Sequence, residues 1–222
     1  MIYDKKVSAI ILAAGTSTRF GGEANKVFAD LKGNPVLYYS LKAFAENPLI
    51  DEIILVINPL GKAQISEITS KFKKPIKIIN GGSTRKQSVH NALKIASGDI
   101  VIIHDGARPM LAQEHINNCL EAMQNFKGIS IAVKSKDTIK ITNDNNIVET
   151  TTPRKNTWLI QTPQCFDKNT LLNAHEKHAG DETITDDCML LELEGINVKL
   201  IEGNYNNLKV TTKEDINILE TF

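Results

Sequence analysis

Residues 9–22, with the sequence AIILAAGTSTRFGG, are the most informative stretch of this chain, and Lys26 follows soon after. A short apolar run ends abruptly in a loop of small residues that carries Arg19. Small residues allow backbone N–H groups to approach a ligand closely, and successive N–H groups form a concave anion site. We interpret the stretch as a strand that leads into a loop for a nucleotide triphosphate. The alternative is a glycine-rich turn with two solvated cations, because a lone glycine loop is a weak signal.

The composition is that of an ordinary globular protein without net charge. The 222 residues include 26 Lys and Arg and 26 Asp and Glu, which leaves no basic surplus for a nucleic-acid surface. The apolar runs are far shorter than the roughly 20 residues of a membrane helix, and residues 1–6 do not resemble a signal peptide. Cys119, Cys165 and Cys188 lack metal-ligand spacing and indicate reduced, packed thiols. We therefore expect a cytoplasmic protein with neither nucleic-acid nor membrane partners.

Short β-rich runs alternate with longer amphipathic segments along the chain. The predicted strands cover residues 7–13, 53–57, 76–79, 100–104 and 129–133. The predicted helices cover residues 35–46, 62–72, 84–96 and 113–124. Most of the strands are continuous apolar runs, which is typical of strands covered on both faces. The alternation predicts an α/β fold around a mainly parallel sheet, and such sheets bind ligands beyond the carboxyl ends of their strands.

Residues 137–153 interrupt this alternation and predict a β-hairpin arm. Two strand-like stretches, residues 138–142 and 147–150, flank a turn cluster at residues 143–146. An isolated hairpin is marginally stable in water, so we expect the arm to dock, with a second subunit as one candidate. The alternative is a flexible excursion. Because no internal repeat or linker divides the chain, we expect one domain over residues 1–222 with the arm at about 137–153.

The sequence HDGARP at residues 104–109 follows directly on a predicted buried strand. Asp105 would face the ligand crevice, where a carboxylate suits Mg²⁺ carried on nucleotide phosphates; the alternative is that it caps the following turn. Gly106 and Ala107 allow a sugar or base to pass close to the backbone. We expect His104 to be packed rather than catalytic, and Arg108 to order the loop through ion pairing.

The sequence GGSTRKQS at residues 81–88 lies between a predicted strand and a predicted helix. Its glycines, its hydroxyl cap and the helix behind it predict a second polar pocket, which could recognise a base or ribose through backbone groups and Ser88. An ordinary capped helix start is the alternative.

Three later positions are candidates for phosphate chemistry or capping. Arg154, at the end of the arm, is suited to gripping a phosphate with paired donors, although a solvated surface charge is the alternative. Thr185 or Asp186 is expected to cap a helix that continues through residues 188–193. Lys209 stands between apolar neighbours in a strand-like run, which favours a functional lysine facing a polar cleft. The sequence offers no arrangement for Ser, Cys or zinc-dependent hydrolysis, no Walker loop and no convincing dinucleotide fingerprint.

Taken together and in this order, five segments resemble the bacterial and plastid 2-C-methyl-D-erythritol 4-phosphate cytidylyltransferases of the non-mevalonate isoprenoid pathway. They are residues 12–19, 104–109, 161–164, 184–187 and 207–211, and the resemblance covers nearly the whole chain. Relatives that act on ribitol 5-phosphate tend to carry Ser-Val in place of Gly106-Ala107, which favours the erythritol phosphate.

Two positions depart from the family pattern. Asn25-Lys26-Val27 replaces a usual Pro-Lys-Gln, and Ser17 stands where glycine is common. The first change is expected to loosen the loop that aims Lys26, and the second to reduce backbone freedom at the triphosphate.

The resemblance implies a Rossmann-like nucleotidyltransferase fold, a homodimer joined through the arm, and a requirement for CTP and Mg²⁺ or another divalent cation. It also implies transfer of CMP from CTP to 2-C-methyl-D-erythritol 4-phosphate, giving the CDP-alcohol and pyrophosphate. The alternatives are ribitol 5-phosphate or another polyol phosphate as acceptor and, less favoured, a non-catalytic nucleotide-binding regulator.

Residue roles follow from the same resemblance. The implied catalytic cations are Arg19, Lys26 and Lys209. The implied CTP-binding residues are Ala13, Ala14, Gly15, Gly82, Ser88, Gly106 and Ala107. The implied acceptor-binding residues are Asp105, Thr138, Arg154, Thr162 and Thr185, of which Thr138 and Arg154 would reach the partner subunit's site. Asp105 is also the candidate metal ligand, unless the metal is held through the CTP phosphates alone.

Overall fold

A mostly parallel β-sheet with helices on both faces organises the chain. The computed structural model describes residues 2, 4–15, 17, 20, 25–59 and 62–222. The strands are β1 (Val7–Ala13), β2 (Asp30–Leu31), β3 (Asn34–Pro35), β4 (Glu52–Ile57), β5 (Ile76–Asn80), β6 (Ile100–Asp105), β7 (Gly128–Lys134), β8 (Lys140–Thr142), β9 (Val148–Thr151), β10 (Trp158–Asp167) and β11 (Val198–Glu202). The helices are α1 (Val36–Ala45), α2 (Lys62–Thr69), α3 (Arg85–Ile95), α4 (Gln113–Ala122), α5 (Lys168–Lys177), α6 (Asp187–Leu193) and α7 (Lys213–Glu220), with 3₁₀ turns at Lys26–Phe28 and Arg154–Asn156.

The main sheet has the strand order β11-β7-β10-β6-β1-β4-β5. β1 is parallel to both β4 and β6, whereas β10 is antiparallel to its neighbours β6 and β7. Leu12 of β1 pairs with Asp105 of β6, so the two strands end at the same edge of the sheet. The predicted mainly parallel α/β fold is confirmed, and its ligand-binding edge is the one where β1 and β6 end.

Two apolar cores lie on opposite faces of the sheet. Helices α1, α2, α4 and α7 cover one face, and α3, α5 and α6 cover the other. Alternate strand residues supply the two cores: Ile11 belongs to the first and Ile10 to the second. Because both faces are covered, the central strands read as continuous apolar runs. The three cysteines are buried and unpaired, as predicted. Within the described residues, no helix has the length and apolar character needed to cross a membrane.

Local signals set most helix starts. Thr84 caps α3 by accepting the N–H of Gln87, and Asp186 caps α6 by accepting the N–H of Met189. Of the two cap candidates before α6, Asp186 is therefore the cap. Pro35 precedes the first turn of α1 instead of lying in it.

Several segments differ from the prediction: β10, β11, α5 and α7 were not predicted, and the run around Lys209 was predicted as strand-like. The strand β10 was not predicted, because Pro163 lies inside it and proline argues against a central strand. A register shift between Ile160 and Gln164 accommodates that segment within the sheet. The predicted strand-like run around Lys209 is wrong: residues 207–211 form no strand, and this segment is held instead by bonds such as that from Val210 N to Ala107 O (2.8 Å).

The arm at residues 137–153 contains a two-stranded hairpin of β8 and β9, as predicted. Each residue of both strands is exposed, including Ile141 at 50 % and Val148 at 53 %. Ile147, in the turn region, is exposed to 62 %. The arm therefore presents apolar side chains that its own subunit does not cover.

Candidate active site

The first of two neighbouring cavities lies where β1 and β6 end. Its volume is about 450 Å³, and it is lined by most of the predicted nucleotide residues together with four charged side chains. The predicted residues that line it are Ala13, Ala14, Gly15, Lys26, Gly82, Ser88, Asp105, Ala107 and Lys209. Arg19 lies outside the described residues. The glycine-rich end of β1 and the 81–88 segment, far apart in the chain, thus form two walls of one cavity.

The second cavity adjoins the first on the side of β10 and α6. Its volume is about 570 Å³, and Arg108, Thr162 and Thr185 are among its lining residues. Arg85, Asp105 and Lys209 line both cavities. Ligands bound in the two cavities would therefore meet at these three charged groups.

Asp105 is the centre of this junction. Its Oδ2 lies 2.8 Å from Lys209 Nζ and 3.6 Å from Arg108 Nε, and its Oδ1 lies 3.9 Å from Arg85 Nε. Burial alone raises the pKa of Asp105, but Lys209, Arg85 and Arg108 together lower it well below its ordinary value. The carboxylate therefore stays ionised and holds cations from three separate segments of the chain.

Arg85 connects the junction to a second buried carboxylate. Its Nη1 donates to Asp187 Oδ2 at 2.7 Å, and the other oxygen of Asp187 lies 3.2 Å from His175 Nε2. Burial lowers the pKa of Arg85, but Asp187 and Asp105 outweigh burial and raise it above its ordinary value. The Arg85 guanidinium is thus permanently charged, and its bond to Asp187 holds it in place.

Thr162 and His104 position the backbone of Asp105. The N–H of Asp105 donates to Thr162 Oγ1 at 3.0 Å, and this hydroxyl lies 3.0 Å from His104 Nδ1. His104 Nε2 lies 3.0 Å from the carbonyl of Arg108, so that nitrogen carries the proton and Nδ1 accepts from Thr162. Burial lowers the pKa of His104 to about 4, which keeps the ring neutral. His104 therefore has the packed role that was predicted.

Hydrogen bonds of Asn207 to Thr162 and Arg108 hold the segment that carries Lys209. Asn207, which is fully buried, donates to the carbonyl of Thr162 at 2.9 Å and accepts from Arg108 Nη1 at 2.7 Å through its own carbonyl. Arg108 thus orders the loop, as expected from the sequence. Lys209 faces the junction from an irregular segment in which Asn207 and Val210 are fully buried.

The 81–88 segment forms a capped helix start that also lines the first cavity. The Ser88 hydroxyl accepts the N–H of Gly82 at 3.0 Å and donates to the carbonyl of Thr84 at 2.9 Å. These bonds shape the loop itself. Gly106 is placed behind the cavity: a Cβ there would lie 2.9 Å from Leu37 Cδ1 and 3.0 Å from the Leu12 carbonyl oxygen. At this position glycine allows β6 and α1 to approach closely.

Thr138 lies on the arm, and Arg154 begins the 3₁₀ turn directly after it. Arg154 Nη2 donates to Thr138 Oγ1 at 2.7 Å, and neither is among the described residues that line the two cavities. A role for these two residues in binding the acceptor would therefore require the site of a neighbouring subunit.

Sequence reasoning missed Arg85, Asn25 and Asn58, all of which line the first cavity. Arg85 belongs to the 81–88 segment, and its position directly after a helix cap that follows β5 is the signal that could have found it. Asn58 follows β4 immediately and carries the same signal. Asn25 has no comparable signal in the sequence.

Together, the fold and this site define a nucleotidyltransferase of Rossmann-like type: strand ends on a mainly parallel sheet bring several cations between two adjoining cavities. Residues 7–222 match the family model of 2-C-methyl-D-erythritol 4-phosphate cytidylyltransferase (IspD). The chain belongs to this family of enzymes.

Curated relatives and solved structures agree over nearly the full length. The relative of that name from Caldanaerobacter subterraneus subsp. tengcongensis is 44 % identical over 97 % of this chain and 98 % of its own. The one from Clostridium beijerinckii is 43 % identical over 97 % of each. The crystal structure of 4-diphosphocytidyl-2C-methyl-D-erythritol synthase from Anaerococcus prevotii superimposes with a TM-score of 0.89 at 35 % identity, covering 98 % of this chain and 95 % of that one.

Proposed function

We propose that this chain transfers CMP from CTP to 2-C-methyl-D-erythritol 4-phosphate and releases pyrophosphate, with CTP in the first cavity and the acceptor in the second. The observation that carries the proposal is the junction, because Arg85, Asp105 and Lys209 line both cavities. Two phosphate compounds repel each other, so bringing them together requires cations at the point where they meet.

The reaction is an in-line displacement at the α-phosphorus of CTP. An acceptor phosphate oxygen forms a new bond to that phosphorus, the bond to the bridging oxygen of the β-phosphate breaks, and pyrophosphate leaves with the bonding pair. Lys26 and Arg19 stabilise the triphosphate and the departing pyrophosphate, and Lys209 stabilises charge between the acceptor and the α-phosphate. No covalent nucleophile is needed, since positioning and electrostatic stabilisation provide the catalysis.

The acceptor is held by residues of two subunits. Arg108, Thr162 and Thr185 line the second cavity from one chain. Thr138 and Arg154 reach the site from the partner's arm, whose exposed strands have no core of their own. A two-stranded hairpin is marginal in water by itself, so docking on a partner stabilises it as well. The active protein is therefore a homodimer joined through the arm.

A divalent cation fits this site as a companion of the substrate. Among the described residues, no three His, Cys, Asp or Glu side chains cluster as a metal centre. The Oδ1 of Asp105 lies 3.9 Å from Arg85 Nε, beyond hydrogen-bond distance, and would offer the hard oxygen ligand that Mg²⁺ prefers. CTP phosphates would supply the remaining ligands. When bound, Mg²⁺ neutralises phosphate charge.

The unpaired cysteines match a protein of the reducing cytoplasm.

Pyrophosphate release measured with purified protein tests the proposal. We expect release with CTP and 2-C-methyl-D-erythritol 4-phosphate, and far less with ATP or UTP. A preference for ribitol 5-phosphate would keep the chemistry and replace the acceptor. CTP binding without pyrophosphate release on any polyol phosphate would instead indicate a nucleotide-binding regulator.

A further inference from the structure

Ser17 has an uncommon backbone conformation in the loop after β1. Its φ is 57°, in the left-handed region that favours glycine. Its carbonyl accepts the N–H of Phe20 at 2.9 Å, and the Phe20 side chain is buried in the core at 7 % exposure. A serine in this conformation needs contacts that hold it there.

Those contacts come from Asn25 and its neighbour. The Ser17 hydroxyl donates to Asn25 Oδ1 at 2.8 Å and accepts the N–H of Lys26 at 3.2 Å. The hydroxyl is thus bonded directly to the backbone that carries the proposed catalytic lysine.

Asn25 uses both ends of its amide. Its Nδ2 donates to the carbonyl of Gly15 at 3.2 Å, and its Oδ1 also accepts the N–H of Val27 at 3.3 Å. We call Ser17 and Asn25 the loop clasp. The loop clasp joins the two ends of the 15–26 loop, and Gly15, Asn25 and Lys26 all line the first cavity.

We propose that the loop clasp is a positioning device that sets the conformation of the triphosphate loop and aims Lys26 at CTP. This inference rests on the proposed function. Ser17 and Asn25 are eight positions apart in the chain and bond each other directly. Glycine at position 17 and proline at position 25 would favour the same backbone without these bonds, since glycine tolerates a positive φ and Asn25, with φ −72°, has a backbone compatible with proline.

A double-mutant cycle tests this coupling. The variants are Ser17→Ala, Asn25→Ala and the double variant, and the primary measurement is the Kd for CTP by calorimetry with Mg²⁺ present. Each single change is expected to weaken CTP binding about fivefold to tenfold, the scale of one lost hydrogen bond. The double variant is expected to lose clearly less affinity than the product of the two single losses, because both changes break the shared bond between Ser17 and Asn25.

Steady-state kinetics and a rescue variant separate positioning from general damage. The KM for CTP is expected to follow the Kd, while the KM for the acceptor stays within about twofold. The combined Ser17→Gly and Asn25→Pro variant is expected to recover CTP affinity, because it restores the loop conformation without the bonds. Ser70→Ala is the matched control: its hydroxyl bonds the carbonyl of Glu67 at 2.8 Å, outside both cavities.

Two results would overturn the loop clasp. One is an unchanged Kd for CTP in Asn25→Ala, and the other is a loss in the double variant equal to the product of the two single losses. Thermal unfolding of each variant shows whether it is folded. Because CTP binding is measured without acceptor, a protein that binds CTP but releases no pyrophosphate refutes the proposed function while the cycle still decides the loop clasp.

Discussion

At the scale of single residues, the ion pair between Lys209 and Asp105 decides what the site can do. Lys209 Nζ lies 2.8 Å from Asp105 Oδ2, and both residues line both cavities. This lysine is therefore the cation best placed to meet both substrates. Arg85 and Arg108 stay near Asp105 when the lysine is removed, and the carboxylate therefore remains ionised. Replacing Lys209 should therefore leave the fold intact while it impairs the reaction.

Lys209→Ala is expected to lower kcat by about 10²–10³, the usual effect of losing one transition-state donor. The physical reason is the loss of positive charge where the acceptor and the α-phosphate meet. Pyrophosphate release measures the effect, and Lys213→Ala, an exposed lysine at the start of α7, is the matched control. Normal turnover in Lys209→Ala would remove this lysine from the mechanism.

Thr162→Val tests a residue that both lines the second cavity and positions Asp105. The valine has a similar shape but leaves the N–H of Asp105 and Nδ1 of His104 without their present partner. We expect a loss of about 1–3 kcal/mol in the free energy of unfolding and roughly tenfold lower turnover. Urea unfolding and pyrophosphate release measure the two effects. Thr221→Val, whose hydroxyl bonds a carbonyl at the exposed end of α7, should change neither.

The residues of the site were predictable where a motif stood directly at a strand end. Asp105 and the 81–88 loop follow this rule, and both line the first cavity. The network from Thr162 through His104 to the Arg108 carbonyl was not predictable, because it depends on β10 running antiparallel beside β6. A sequence without long-range pairing information does not reveal which hydroxyl lies beneath which amide.

At the scale of the element, the opposite edge of the sheet is fastened by one carboxylate. Glu52, the first residue of β4, accepts bonds from Ser8 Oγ on β1, from Lys77 Nζ on β5 and from the N–H of Ser97 at 2.9 Å. Burial raises the pKa of Glu52, but these bonds outweigh burial and lower it to about 2. The same side chain thus links three neighbouring strands and the end of α3.

Glu52→Gln is expected to destabilise the fold by about 1–3 kcal/mol at pH 7. The ordinary pKa is 4.5, so the wild-type carboxylate contributes its full stability above that pH and loses it as the pH falls toward about 2. The difference between wild type and variant should therefore shrink on acidification. Urea unfolding at several pH values checks this, with Glu46→Gln, an exposed partner of Lys42, as control. A difference that is constant with pH would contradict it.

Strands and helices differ in how well their sequence shows them. The central strands were recognisable because burial on both faces leaves a continuous apolar run, and β1 has the predicted bounds. β10 contains a proline and a register shift, and β11 mixes half-buried with exposed residues, so neither has that signature. Their places in the sheet are set by packing on β7, which no local pattern specifies.

At the scale of the whole molecule, the proposed dimer divides each site between two chains. Lys26 lines the first cavity of its own subunit, whereas Arg154 directly follows an arm whose strand residues are all exposed. In the proposed dimer, each site takes Lys26 from one chain and Arg154 from the other. A Lys26 variant and an Arg154 variant therefore damage the same site through different chains. Complementation between variants then becomes measurable.

Lys26→Ala and Arg154→Ala are each expected to lower turnover strongly as homodimers, Lys26→Ala by about 10²–10³. When equal amounts are unfolded together and refolded, half of the dimers should pair one chain of each kind. In such a dimer one site receives both alanines and the other receives neither, so the mixture should recover about a quarter of wild-type activity. Light scattering establishes the dimer, and Ile147→Lys on the arm should weaken it. Only a site shared between subunits allows two inactive proteins to restore an active one. If mixing recovered no activity while the dimer stayed intact, Arg154 and Lys26 would belong to the same chain's site, or Arg154 would have no part in catalysis.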